Sequence, residues 1–269
     1  MKLRKILTLT LILVLVTALF GCGKKTEGAA AGDLLKTIQD RGTIIVAMEG
    51  TWAPWTYHDE QDNLVGYDVE VAKAIGEKLG VEVEFVEGEW DGLLAGLSAG
   101  RYDIMVNGVD IDPERQETYD FSIPYAYNRT AVITQTSNDS IHTLEDLKGK
   151  HTANTISSTY AKLAEQYGAQ VTGVDDLNQT FELLLSGRID ATLNAEMTYY
   201  DYMNAHPDAG IQIAVLTEDA NQIGIPMRKG DETASLRAAI DQALTELGED
   251  GTLSDLSMKY FGTDISKKP

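Results

Sequence analysis

Ser98 lies in Gly96-Leu97-Ser98-Ala99-Gly100, which fits G-x-S-x-G, the pattern that raises a nucleophilic serine on a sharp turn in hydrolases. That chemistry needs a strand before the serine and a helix after it. Here a Leu-rich helical stretch precedes and a β-like stretch follows, so nucleophilic catalysis is not expected. His58, His142, His151 and His206 show no metal-ligand spacing such as H-E-x-x-H. Asp110-Ile111-Asp112-Pro113-Glu114 is dense in carboxylates, but Pro113 and the missing loop glycine depart from a calcium loop. No cofactor or metal is expected. A binding site is the better expectation. Gly100-Arg101-Tyr102-Asp103-Ile104-Met105-Val106-Asn107 and Gly187-Arg188-Ile189-Asp190-Ala191-Thr192-Leu193-Asn194 share G-R-x-D-x-x-x-N. In each, glycine ends a helix, the aspartate enters a strand, and the asparagine reaches the strand's carboxyl end. Ligands of open α/β sheets bind outside those ends. Two lobes that aim them at one another would place a site in the cleft between.

The elements that would carry such a site alternate strand and helix. Strands are predicted over 43–48, 81–86 and 104–107, with helices over 68–79 and 91–99. Asp68 is expected to cap the first of these helices and Gly80 to end it. The second half repeats the scheme: a turn capped by Thr143, strands over 151–155, 171–174 and 191–194, and helices over 159–167, 178–186 and 196–206. A β-like stretch over 221–227 and helices over 232–247 and 252–261 are expected to return to the first lobe. The fold class is therefore α/β, a two-lobed clamshell in which each lobe is a mostly parallel sheet flanked by helices, with two crossovers. The expected division is 33–128 with 222–269 as lobe 1, and 129–221 as lobe 2.

Of the 269 residues 43% are hydrophobic, enough for a packed core and too many for a disordered chain. The formal charge of −20 argues against a nucleic-acid partner, since phosphates would be repelled. Lys2, Arg4 and Lys5 precede an almost unbroken apolar run over 6–20, too short to span a bilayer comfortably and suited to a signal-peptide core. The run ends in Leu19-Phe20-Gly21-Cys22, which resembles a bacterial lipobox, although Phe20 stands where a smaller residue is usual. Cys22 is the chain's single cysteine. The expectations are a lipoprotein signal peptide over 1–22, a flexible tether over 23–32, acylation of Cys22, and a mature protein outside the cytoplasm, at the cell surface or in the periplasm, that meets the membrane through its lipid anchor only.

Further motifs are Gly66-Tyr67-Asp68-Val69, Trp90-Asp91-Gly92-Leu93-Leu94-Ala95-Gly96-Leu97, Pro113-Glu114-Arg115, Tyr119-Asp120-Phe121-Ser122-x-Pro124-Tyr125 and Leu144-Glu145-Asp146-Leu147-Lys148-Gly149-Lys150. In this order and spacing, over residues 34–262, the chain resembles the extracellular solute-binding proteins of family 3, the polar amino-acid receptors of ABC importers. The resemblance implies a clamshell closing on one amino acid, ABC permease subunits as partners, a monomer, and no catalytic residue. It implies that Trp52 and Trp90 flank the ligand's side chain, with Trp55 structural, and that Arg115 pairs with its α-carboxylate as a bidentate donor. By the same carry-over Asn107 and Gly108 present backbone groups, Glu49 senses the side chain, and Ser157, Ser158 and Thr159 offer the start of a second-lobe helix. Asn194 ends the corresponding second-lobe strand.

Two positions depart from the family pattern. Asp110 stands where Ser or Thr is common, and Ala195 stands where an aspartate usually holds the ligand's α-ammonium. Asp110 or Glu196 is expected to take over that role, or the ligand is not a standard α-amino acid. Two other functions fit the same fold. A secreted dehydratase-like enzyme would use a pocket carboxylate, Glu196 or Asp110, as its acid. A ligand-sensing receptor would need a separate signalling partner.

Overall fold

Thr43–Met48 (TIIVAM) buries Ile44, Val46, Ala47 and Met48 on both of its faces, as a central strand covered on either side by helices must. In the computed structural model, which describes residues 32–269, this strand pairs in parallel with Glu82–Glu87 on one side and Ile104–Met105 on the other. The signal segment 1–22, Cys22 and residues 23–31 of the tether lie outside the described residues. The helices Tyr67–Leu79 and Trp90–Ser98 connect these strands. The closing helices Ala234–Glu249 and Thr252–Phe261 pack on Tyr67–Leu79, and Phe261 lies 4.9 Å from the Trp55 ring. The last stretch of chain thus returns to the first lobe.

The second lobe is built on Thr130–Gln135, which runs antiparallel to Thr192–Ala195 on one side and to Ile211–Leu216 on the other. His151–Asn154 and Gln170–Gly173 extend the layer in parallel, joined to it by a bridge from Thr152 to Ala191. Its core gathers Val132, Ile133, Leu147, Phe181, Leu184 and Leu193. The molecule is the expected two-lobed α/β clamshell, with parallel pairs in both lobes and an antiparallel strand set into the second. That strand is where the chain enters. Ala126–Asn128 and Asn221–Ile223 form an antiparallel pair that continues as Thr130–Gln135 against Ile211–Leu216. The two crossovers run side by side as one ribbon.

Asp68 departs from expectation. The helix begins at Tyr67 and its N-cap is Gly66, so Asp68 lies inside the first turn and caps nothing. The early start follows from Tyr67, whose ring is buried against Trp55, Tyr125 and Phe261. Asp68 is fully buried, and its Oδ1 accepts a 2.7 Å hydrogen bond from the Tyr125 hydroxyl. Burial pushes its carboxyl up to about 7, opposed by that hydroxyl and the Gly108 backbone. The folded pKa is above the unfolded one, so the native state holds a proton that the unfolded state releases between 3.8 and about 7. Asp68 therefore favours folding increasingly as pH falls through that window and opposes it above. Asp68→Asn keeps an acceptor for Tyr125 and removes the titration. Its melting temperature is expected to exceed the parent's at pH 8, by a margin that shrinks below about 7 and closes only as pH falls to 3.8. A margin unchanged across that window would show that Asp68 does not titrate there.

Candidate functional site

The chain leaves Ile104–Met105 into a loop whose backbone is pinned to the ribbon. Asp110 bridges to Ile223, Ile111 N donates to Gln222 O at 2.8 Å, and Gly224 N donates to Val109 O at 3.0 Å. Gly108 in this loop has φ 54, and a Cβ there would stand 2.5 Å from the Trp52 ring. Trp52 stacks on the buried Trp55 at 5.3 Å, and the same Cβ would also come within 3.4 Å of the Trp55 ring. Only glycine gives this backbone conformation and this approach together. Trp55 belongs to the core, as expected.

The loop leads into Pro113–Thr118, capped by Asp112, whose Oδ1 accepts from the amides of Glu114 at 3.0 Å and Arg115 at 3.1 Å. Arg115 projects from this helix and is 5% exposed. Its Nη1 donates to Asp110 O at 3.1 Å, its Nη2 to Ser157 O at 3.3 Å, and its Nε lies 3.2 Å from the Asp112 carboxylate. The guanidinium also sits 5.2 Å from the Trp90 ring centroid. These contacts fix the plane of the guanidinium. Asp110 is equally buried, at 6%. Its Oδ2 accepts from the Thr159 hydroxyl, and its Oδ1 has no hydrogen-bond partner among the described residues. Burial pushes the Asp110 carboxyl up, opposed by the Thr159 hydroxyl, the Arg115 charge and the nearby Asn221 amide, with the Asp112 charge adding to it.

The facing wall comes from the second lobe. Ser158 caps Thr159–Gln166, its hydroxyl accepting from Ala161 N at 3.1 Å, so the first-turn amides of that helix open beside Asp110 and Arg115. Asn194 Oδ1 accepts from Trp52 Nε1 at 3.2 Å. Between the walls lies a cavity lined by Glu49, Trp52, Trp90, Gly108, Asp110, Arg115, Ser158, Thr159 and Asn194, all singled out in the sequence. Asn154, Thr155, Tyr160, Asp176, Leu177 and Thr180 complete the lining. None of these six was singled out. Asp176 was findable only as a helix cap, which it also is: its Oδ1 accepts from Gln179 N at 3.0 Å.

Three expected residues lie off the cavity wall. Asn107 is buried beneath it and clamps Glu49: its Oδ1 accepts from Glu49 N at 2.7 Å and its Nδ2 donates to Glu49 Oε2 at 2.7 Å. Ser157 sits at the rim, where its amide and hydroxyl both donate to Asp91 Oδ1, at 3.0 and 2.6 Å. Glu196 turns to the ribbon side and accepts two bonds from Arg129, at 2.9 and 2.8 Å, which satisfies its carboxylate away from the cavity. Ala195 is fully buried in the hydrophobic core. Burial pushes the Glu49 carboxyl up to about 7; the Asn107 bond opposes this, and the negative charges of Asp176 and Asp91 add to it.

The lobes touch across the cleft through Trp52 with Asn194, Asp110 with Thr159, Asp91 with Ser157, and Glu114 with Lys162 at 2.7 Å. The cleft is closed. One guanidinium, several carboxylates, a helix start and two indoles around one cavity can hold a small zwitterion by both of its charges.

Comparison with known proteins agrees with this geometry. Residues 44–263 match the family of bacterial extracellular solute-binding proteins, family 3. The L-cystine-binding protein TcyA of Bacillus subtilis (strain 168) is 37% identical over 270 residues, covering 98% of this chain and all of that one. An ancestral arginine-binding protein bound to arginine is 38% identical and superposes with a TM-score of 0.77, covering 82% of this chain and 99% of that one. The L-cystine solute receptor of Neisseria gonorrhoeae, unliganded and open, is 41% identical but superposes with a TM-score of 0.60, covering 88% of this chain and all of that one. The higher identity with the lower superposition fits a closed cleft here.

Proposed function

Since the chain belongs to the bacterial extracellular solute-binding proteins of family 3, we propose that it is a receptor that captures a polar amino acid outside the cytoplasm and delivers it to an ABC permease. The observation that carries the amino-acid reading is the pair formed by Arg115 and Asp110. Both are buried, Asp110 in the loop and Arg115 on the helix that the loop leads into, and they are joined through Arg115 Nη1 and Asp110 O. A guanidinium beside a carboxylate with an unpartnered oxygen suits an α-carboxylate and an α-ammonium one carbon apart. Relatives named for cystine and arginine support the class. A ligand that touches both lobes favours the closed state by the contacts it makes only there. In this reading lobe 1 comprises 33–128 with 222–269, lobe 2 comprises 129–221, and the receptor works as a monomer without catalysis.

A calorimetric and thermal-shift screen against the common amino acids tests the proposal. At least one α-amino acid should raise the melting temperature, bind at one site, and be recovered unchanged. If none binds, the substrate class is wrong. If a bound amino acid is converted, the protein is an enzyme.

The lipoprotein part of the reading rests on Cys22 and its lipobox-like setting. Cys22→Ser is expected to release the protein from membranes or block its processing. Full membrane retention of a normally cleaved variant would exclude acylation at Cys22.

A further inference from the structure

We propose that Glu49 and Asp176 form a receptor for a second positive charge, so that the amino acid captured is a cationic one, with a side chain ending in a guanidinium or ammonium group. The inference rests on the reading of the cleft as an amino-acid site.

Among the described residues, the cavity is lined by three carboxylates, Glu49, Asp110 and Asp176, and by one base, Arg115. The head of an amino acid takes one of each: Arg115 for its carboxylate and Asp110, with its free buried oxygen, for its ammonium. Glu49 and Asp176 are left without a cation. They come from opposite lobes, Glu49 from the end of the Thr43–Met48 strand and Asp176 from the cap of Leu177–Leu185. Closure brings them close enough for the Asp176 charge to oppose ionisation of Glu49. Neither is used up by its structural bonds. Asn107 engages only Oε2 of Glu49. The Asp176 cap uses Oδ1, and Oδ2 has only a 3.4 Å contact with Gln179 Nε2. Like charges facing across a closing cleft oppose closure unless a cation comes between them. Trp52 and Trp90 line the same cavity, and indole faces suit an aliphatic stem with a cationic tip.

The same arrangement discriminates against cystine. Its second end brings an ammonium that Glu49 and Asp176 could take, but also a second carboxylate beside them, and Arg115, the one base in the lining described, already serves the first. A neutral side-chain tip would leave two carboxylates facing each other.

Calorimetry of the protein with L-arginine, L-lysine, L-citrulline and L-cystine tests this. Citrulline matches arginine in length and carries an uncharged ureido tip. Arginine or lysine is expected to bind about tenfold or more tighter than citrulline and cystine, as for a charge set against an uncharged isostere in a closed site. Asp176→Asn keeps the helix cap, since asparagine caps as well as aspartate, and removes the charge. Asp176→Asn and Glu49→Gln should each weaken arginine by about tenfold while leaving citrulline within about threefold. A purely structural role at either position would weaken both ligands alike or neither. If citrulline or cystine binds the parent best, or if the arginine-to-citrulline ratio is unchanged in Asp176→Asn, the cationic assignment falls while the amino-acid reading stands. If no α-amino acid binds, that reading falls and this one with it.

Discussion

Arg115→Ala is expected to abolish amino-acid binding while leaving a folded protein. Removing one partner of a desolvated charge pair costs about 2–5 kcal/mol, a loss of tens- to thousands-fold in affinity. The guanidinium is held by Asp110 O, Ser157 O, Asp112 and the Trp90 ring, so it meets a carboxylate already oriented. The fold does not depend on it, because Asp112 caps its helix through backbone amides that the substitution leaves in place. Arg115→Lys keeps the charge but loses the planar fork, and should recover only a small part of the affinity. Titration with the best ligand of the screen decides the matter. Affinity within about threefold of the parent's would place the carboxylate elsewhere, since a desolvated pair costs far more to break.

The second large effect is expected at Asp110, with opposite signs for binding and stability. Its carboxylate is buried, raised in pKa, and has one oxygen with no partner among the described residues. An unpaired buried acceptor costs about 1–3 kcal/mol, more when charged. Asp110→Ser should therefore raise the melting temperature of the ligand-free protein and at the same time reduce affinity by two orders of magnitude or so, because the α-ammonium loses its counter-charge. Glu196 offers no substitute, being committed to Arg129, and Ala195 is packed in the core. If Asp110→Ser binds as well as the parent, the ammonium is held by Glu49 or Asp176, and the head and tail of the ligand are reversed in the cavity.

How much of this was legible in the sequence varied with the kind of signal. Trp52, Gly108, Asp110 and Arg115 are marked by the order and spacing of the motifs that the chain shares with its family rather than by any one local signal, and all four line the cavity. The parallel strand Thr43–Met48 and its partners are continuous apolar or alternating runs, and periodicity finds them. The ribbon has no local signal. Thr130–Gln135 and Ile211–Leu216 are sheet partners remote in sequence, and nothing local announces their pairing. Asp68 reads as a cap because Asp is a good capping residue, yet the burial of Tyr67 shifts the helix start. Glu196 reads as a cavity acid until Arg129, which no motif marks, is seen to hold it. Asp176 escaped for the converse reason. Its capping role is a sufficient local explanation, and only the closed fold brings it to the cavity that Glu49 also lines.

The contacts of Asp91 with Ser157 and of Glu114 with Lys162 have a kinetic consequence. A solute enclosed by two lobes escapes no faster than the lobes part, so the opening rate sets the ceiling on dissociation. These four residues lie outside the cavity lining and grip the rim whatever is inside. They lengthen the residence time of every occupant by the same factor, at most about fivefold for the exposed Glu114–Lys162 pair. Ranking among solutes is left to the cavity, and the time available for handover is set at its edge.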